Sequence, residues 1–298
     1  MFPWAEGGDL EDFWKEANPR LRSPELTLWS LKQMLGLAEA LEGLHQGFDD
    51  ESNFRHGNLK PGNILHFLGA GEGILKIAGF EISRAHHNAT YDRAKPTISR
   101  ATTPSYEAPE ATLVIRNREP RSPKYDIWSL GCIFLEFTIW LVHNWEEVQI
   151  FYEARKLNSP MDYNSGHFYQ ITGLTVQSHQ AVYQKIADLK MVPQSKEDTA
   201  LGDLLNLIQN NLLEVQVDAR FDSTQLCKRS TRLSAERSLT PSISSTRELQ
   251  LFEHKNSHVQ LGICRDKLRC INEINFRQIE HLIISFMQLN KDILERAT

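Results

Sequence analysis

The sequence lacks most of what would place a protein outside the cell, on nucleic acid or in a membrane. Of its 298 residues only four are cysteines, Cys132, Cys227, Cys264 and Cys270, and no two form a Cys-x-x-Cys pair. That offers no disulfide framework and reads as reduced thiols in a cytoplasmic protein. Basic residues are not in excess: 33 Lys and Arg face 38 Asp and Glu, for a net charge of −5. The electrostatic footprint of a nucleic-acid binder is therefore missing. No secretory leader is expected, because Met1-Phe2-Pro3-Trp4 runs into acidic residues without a basic or an apolar region. One long apolar run exists, Ile127 to Val142, but it is a little short for a bilayer and carries Glu136 in its middle. It is read as a helix buried on all sides of a globular domain. There is no internal repeat.

What is present is an ordinary globular composition, with 41% hydrophobic and 24% charged residues and a mean hydropathy of −0.41. A short helix is predicted at Leu10 to Lys15. A longer one follows Ser23-Pro24-Glu25, which supplies an N-cap serine, a proline at the first helical position and an acid in the first turn. Leu28, Leu31, Leu35, Ala38, Leu41 and Leu44 recur at helical spacing and predict a core helix to about His45. Ile64–Leu68 and Ile74–Phe80 flank a glycine-rich stretch and predict a β-hairpin. Glu81 to Pro109 shows little periodicity and is read as an extended loop. Further helices are expected at Tyr125–Val142, Trp145–Lys156, His179–Lys190, Thr199–Leu213 and Ser223–Arg229. From Ser230 to Thr246 the composition turns to Ser, Thr and Arg, as in a flexible linker. Helical spacing returns at about 259–296. Trp128 and Trp140 are read as core, and His86-His87 as solvated loop residues.

Five motifs in order carry a family resemblance. His56-Gly57-Asn58-Leu59-Lys60-Pro61-Gly62-Asn63-Ile64-Leu65 resembles the protein-kinase catalytic loop. Ile77-Ala78-Gly79-Phe80-Glu81 falls where kinases carry their magnesium-binding Asp-Phe-Gly. Thr103-Pro104-Ser105-Tyr106-Glu107-Ala108-Pro109-Glu110 is similar to the end of the activation segment, and Tyr125-Asp126-Ile127-Trp128 to the start of the central helix. Asp218-Ala219-Arg220 sits where the family has an arginine that pairs with the Ala-Pro-Glu glutamate. The texture resembles the divergent kinase-like proteins of filamentous fungi. The resemblance implies an α+β fold, mostly α here: a kinase-like C-lobe with a small β-hairpin at 1–228, a linker at 229–258 and a C-terminal helical segment at 259–298. Glu6-Gly7-Gly8-Asp9-Leu10 resembles the segment just after the kinase hinge. The N-lobe, with its glycine-rich loop and lysine, is then expected to be absent, or to lie upstream if the chain is a fragment of a longer kinase-like protein.

Phosphoryl transfer is mostly positioning and charge neutralisation. By the resemblance, Asn58 stands at the position of the catalytic Asp, and an amide cannot take up a proton at neutral pH. Losing a general base costs ~10²–10⁴ in rate. Gly79 stands at the position of the metal-binding Asp and has no side chain, which leaves Asn63 as the residual metal ligand. Lys60 keeps the position of the lysine that neutralises the transferred phosphate, or else it bonds Thr103. Gly57 replaces the arginine that receives an activation-loop phosphate. The architectural residues are retained: Glu110 with Arg220 as a bidentate pair, Asp126 as acceptor for the loop's N–H groups, and His56 with Phe80 as packing. The expectation is a pseudokinase, a non-catalytic interaction module that takes no cofactor. A protein partner, or the chain's own segment 259–298, is expected to cover an apolar surface around Met1, Phe2, Trp4, Leu65 and Phe80. The alternative is a weakly active Ser/Thr kinase that binds ATP and Mg through Lys60 and Asn63.

Overall fold

The computed structural model describes residues 4–18, 23–47, 52–69, 71–80, 84–87, 104–111, 122–156, 166–173 and 175–238, with backbone only at 52–53, 84–87 and 231–238. The chain divides into two compact units, Met1–Ser230 and Thr231–Thr298. The second is described only where it continues a helix that begins in the first.

Helix α1, Leu10–Glu16, starts at a capping box in which the Asp9 carboxylate accepts the Asp12 N–H at 2.9 Å. It buries Leu10, Phe13 and Trp14. Helix α2, Pro24–Gln46, starts where its signals predict, with Ser23 Oγ accepting the Leu26 N–H at 3.2 Å and Pro24 at the first turn. It ends at Gly47, whose φ of +74° closes the last turn. Its buried stripe agrees with the predicted one at Ala38, Leu41 and Leu44 and differs from it in the first half of the helix. Leu26, Ser30, Met34, Leu37, Leu41 and Leu44 face the core, while Leu28 is 54% exposed. Leu28 lies two residues from Leu26, about 200° around the helix, so both cannot face the same neighbours.

The predicted hairpin forms from β2, Ile64–Phe67, and β3, Ile74–Ile77, antiparallel with Ile64 opposite Ile77. Helix α2 fixes it through side chains. Trp29 Nε1 donates to the Gly73 carbonyl at 2.8 Å, and Gln33 Oε1 accepts the Leu75 N–H at 2.8 Å. The segment before α1 lies along the other edge of β2, with Gly7 N donating to His66 O at 3.1 Å and His66 N to Gly8 O at 2.9 Å.

Helix α3, Lys124–Val142, is the predicted central helix, and every residue from Tyr125 to Val142 is buried. It is the one described helix long and apolar enough to cross a membrane, and here all of it lies inside the fold. Trp128 and Trp140 are both fully buried, and Trp140 Nε1 donates to the Trp14 carbonyl at 2.8 Å. Helices α4, Trp145–Lys156, and α5, Gln180–Lys190, follow.

The predicted Thr199–Leu213 helix is instead α6, Ala200–Leu207, continued by a π-turn over Ile208–Leu212. The turn packs on Gly131 of α3, where a Cβ would come within 2.8 Å of Leu212 Cβ. Helix α7 spans Ser223–Ser238, nine residues beyond the predicted end at Arg229 and into the stretch read as linker. The rest of that linker and the predicted segment 259–298 lie outside the described residues.

Two strand pairs were not predicted. β1, Ser52–Arg55, pairs with β4, Arg84–His87, which interrupts the stretch read as one extended loop and puts His86 and His87 on a strand. β5, Tyr169–Thr172, pairs with β6, Thr175–Ser178. All four strands are four residues long, too short to show alternation against their flanks.

Candidate functional site

Asp126 organises the site from below. It lies in the first turn of α3 with no solvent exposure. Its Oδ2 accepts the His56 backbone N–H at 2.7 Å and its Oδ1 the Gly57 N–H at 2.8 Å, so one carboxylate fixes two consecutive peptides of the loop after β1. His45, at the end of α2, adds a third partner with its Nε2 3.0 Å from Oδ2. Burial works against the charge on Asp126, but the hydrogen bond and charge of His45 and the Gly57 N–H outweigh it. Its carboxyl is held below the ordinary carboxylate value.

His56 carries the order one layer up. Its Nε2 is 2.7 Å from the Ala78 carbonyl and its Nδ1 is 3.2 Å from the Asn58 backbone N. A carbonyl can only accept and an N–H can only donate, so the ring is neutral with its proton on Nε2. The ring packs on Phe80 with centroids 5.0 Å apart. Asn63 then joins the two halves of the site. Its Nδ2 donates to the Asn58 carbonyl at 2.8 Å, its N–H donates to Lys60 O at 2.9 Å and its carbonyl accepts the Ala78 N–H at 2.8 Å. These bonds bring Asn58, Lys60, Asn63 and Gly79 together at the rim of the lobe, the four positions the sequence assigns to chemistry.

The rim differs from an acidic metal site. Gly79 has a φ of +79°, the left-handed region, and a Cβ there would lie 2.5 Å from Asn63 Cγ and 2.6 Å from its Oδ1. The Asn63 carboxamide thus fills the volume that a side chain at 79 would enter. Among the described residues no three His, Cys, Asp or Glu side chains come together as a metal site. Among the described residues of the rim the Asn63 amide oxygen is the candidate ligand left by the resemblance, a poor match for magnesium, which takes oxygen ligands in near-octahedral array. Lys60 is half-buried, and among the described residues its ammonium makes no ion pair or hydrogen bond. Thr103, its predicted partner, lies outside the described residues, as do Met1 and Phe2. Of the predicted apolar surface, Trp4 is 82% exposed, while Leu65 and Phe80 are half-buried.

The predicted pair of Glu110 and Arg220 forms in bidentate geometry, with Nη1 to Oε1 at 2.8 Å and Nη2 to Oε2 at 3.0 Å. Arg220 also donates to Lys124 O at 3.0 Å and Glu214 O at 2.8 Å, and its guanidinium carbon lies 5.2 Å from the centre of the Trp128 ring.

A second buried pair was not predicted. Glu136, in the middle of α3, accepts Arg155 Nη2 at 2.9 Å and the Tyr106 hydroxyl at 2.8 Å. Burial pushes the Glu136 carboxyl above its ordinary value, and the guanidinium offsets only part of that. Burial and the Glu136 charge push the Tyr106 phenol well up. Tyr106 belongs to the same segment as Glu110, so one ion pair, to Arg220, and one hydrogen bond, to Glu136 of α3, tie that segment to the lobe. A carboxylate in an apolar run signals that a buried cation must exist, but not which one.

Comparisons with known proteins agree with this geometry. A family model described as protein kinase domain matches residues 1–230. The chain is 34% identical over 142 residues to the serine/threonine-protein kinase nekl-2 of Caenorhabditis elegans, covering 46% of this chain and 35% of that one. It is 40% identical over 86 residues to a sporulation-specific mitogen-activated protein kinase of Saccharomyces cerevisiae, covering 28% of this chain and 21% of that one. It is 29% identical over 139 residues to human serine/threonine-protein kinase tousled-like 2, covering 46% and 17%. The aligned regions thus span at most about a third of these relatives' length.

Proposed function

The chain belongs to the protein kinase domain family, and from that premise we propose that it is a pseudokinase, a kinase-like lobe that binds partners and does not transfer phosphate. One observation carries the reading. The positions where the family keeps its proton acceptor and its metal-binding acid hold Asn58 and Gly79, and the Asn63 carboxamide fills the space beside Gly79. An amide in place of the base removes about 3–5 kcal/mol of transition-state stabilisation. A bare residue in place of the acid removes the anchor for the cation that bridges the phosphates. The architectural groups His56, Glu110, Asp126 and Arg220 are each engaged, as a scaffold requires. The partner in this reading is a protein, docked on the face that carries Trp4, Leu65 and Phe80. Neither nucleic acid nor membrane is a partner, no ATP or magnesium is required, and the site of action is the cytoplasm.

The competing reading is a weakly active Ser/Thr kinase. It is favoured by the retained Lys60 and by the names of the relatives. Two measurements on the purified chain decide between them: transfer of label from ATP to a generic protein substrate, and thermal unfolding with Mg-ATP. The pseudokinase reading expects no transfer and an unchanged midpoint. A nucleotide bound at a hundred times its Kd would stabilise the chain by about 2.7 kcal/mol. Label transfer that disappears in Lys60→Ala would establish the kinase reading instead.

A further inference from the structure

We infer that Asn63 and Gly79 form one interlock that closes the family's divalent-cation position, with the Asn63 carboxamide acting as a latch and not as a ligand. The inference rests on the pseudokinase reading for the identity of the position and deepens it. Asn63 is held three ways, by its side-chain bond to Asn58 O at 2.8 Å and by its peptide bonds to Lys60 O and Ala78 N at 2.9 and 2.8 Å. Its side chain cannot swing clear without giving up the first of these. The seat it occupies is the one a Cβ at 79 would enter, at 2.5 to 2.7 Å from all three outer carboxamide atoms. Gly79 is therefore a condition for the latch. An acid restored at 79 meets the collision with Asn63, since its Cβ alone would lie within 2.7 Å of the carboxamide. One neutral amide oxygen is left for a hard cation that takes about six oxygen ligands.

The test is a double-mutant cycle on the full chain, read as the thermal midpoint. Gly79→Ala is expected to lower the midpoint by roughly 5 °C. In the Asn63→Ala background the same change is expected to lower it clearly less, because the collision is gone. Equal losses in both backgrounds overturn the interlock. Where Gly79→Ala alone fails to fold, recovery of folding in the double variant supports the interlock, and failure of the double overturns it. A second arm titrates Mn2+ alone into Gly79→Asp and follows the free ion by its paramagnetic signal. No saturable binding is expected up to millimolar metal, and saturable binding to this single variant overturns the inference. Label transfer from ATP by the unmodified chain would sink the pseudokinase reading without touching either arm.

Discussion

Arg220 and Lys60 are both cations that the family resemblance marks out, and they have opposite surroundings. Arg220 is buried, paired bidentately with Glu110, bonded to two further carbonyls at 3.0 Å or less and laid over Trp128. Lys60 is half-buried, and among the described residues nothing engages its ammonium. The contrast extends to their neighbours. Below, the Asp126 carboxylate holds two peptides and a histidine. Above, Asn58 and Gly79 offer neither a base nor an acid. Asp126 and Arg220 are each bonded to several groups of the lobe, and Lys60 at the rim is bonded to none among the described residues, which is the contrast that the pseudokinase proposal reads as a scaffold with an idle edge.

The largest break of this contrast comes from its best-engaged member. Arg220→Met removes the guanidinium and strands Glu110 beside α3. Breaking one partner of a buried pair costs about 3–5 kcal/mol. For a unit of this size that is a fall in midpoint on the order of 10 °C. Removing both charges together, as Arg220→Met with Glu110→Gln, is expected to cost less than the single change, because no uncompensated charge remains. Calorimetry on the three proteins checks both statements. A loss under about 1 kcal/mol for Arg220→Met would place the staple among the weak surface pairs.

A second effect of similar direction is set by pH. His167 lies in the base, nearly buried and close to Arg155 and His179. Burial, then the charges of Arg155 and His179, lower its value from the usual 6.5 to about 4. The unfolded chain therefore takes up a proton near 6.5 while the folded chain does not until about 4. Stability from this group is complete above 6.5 and is lost as pH falls from 6.5 towards 4. The loss is on the order of 3 kcal/mol. Asp126, whose folded value is depressed, adds a loss only at lower pH, as its carboxylate protonates. Thermal midpoints between pH 7 and 4 should fall, and His167→Asn should flatten the fall. An unchanged slope in the variant would show that other groups carry it.

The sequence makes the staple legible and leaves most of the base unseen, for physical reasons. Helix starts are local events, so Ser23, Pro24 and Glu25 announce α2 within a few residues. Motifs with fixed spacing bring in Glu110, Asp126 and Arg220 together. The Glu136–Arg155 pair has no such spacing, because its geometry depends on how α4 packs on α3. His45 as a third partner of Asp126 depends on α2 reaching the base of α3, 81 residues away in sequence. Leu28 fails as a core residue because periodicity gives the existence of an apolar face and not its direction. At the rim the residue types are plain, but the collision of a Cβ at 79 with Asn63 is a matter of ångströms that no alphabet carries.

The smallest expected effect sharpens the comparison most. Lys60→Ala removes a side chain whose ammonium has no bonding partner among the described residues, so folding loses only the packing of its aliphatic stem. Substitutions at such positions stay within about 0.5 kcal/mol, roughly 1–2 °C here. Retention of Lys60 at the catalytic-loop position is by itself equally consistent with a working phosphate contact and with a side chain that nothing has removed. Stability separates a third case from these two. A loss well above 1 kcal/mol would mean that Lys60 holds a structural bond, and the rim would then be part of the scaffold and not its idle edge. A neutral result, measured by urea unfolding with an unchanged slope, leaves Lys60 without a structural role. The two remaining cases, a phosphate contact and an idle side chain, are then separated by label transfer from ATP in the unmodified chain and in Lys60→Ala.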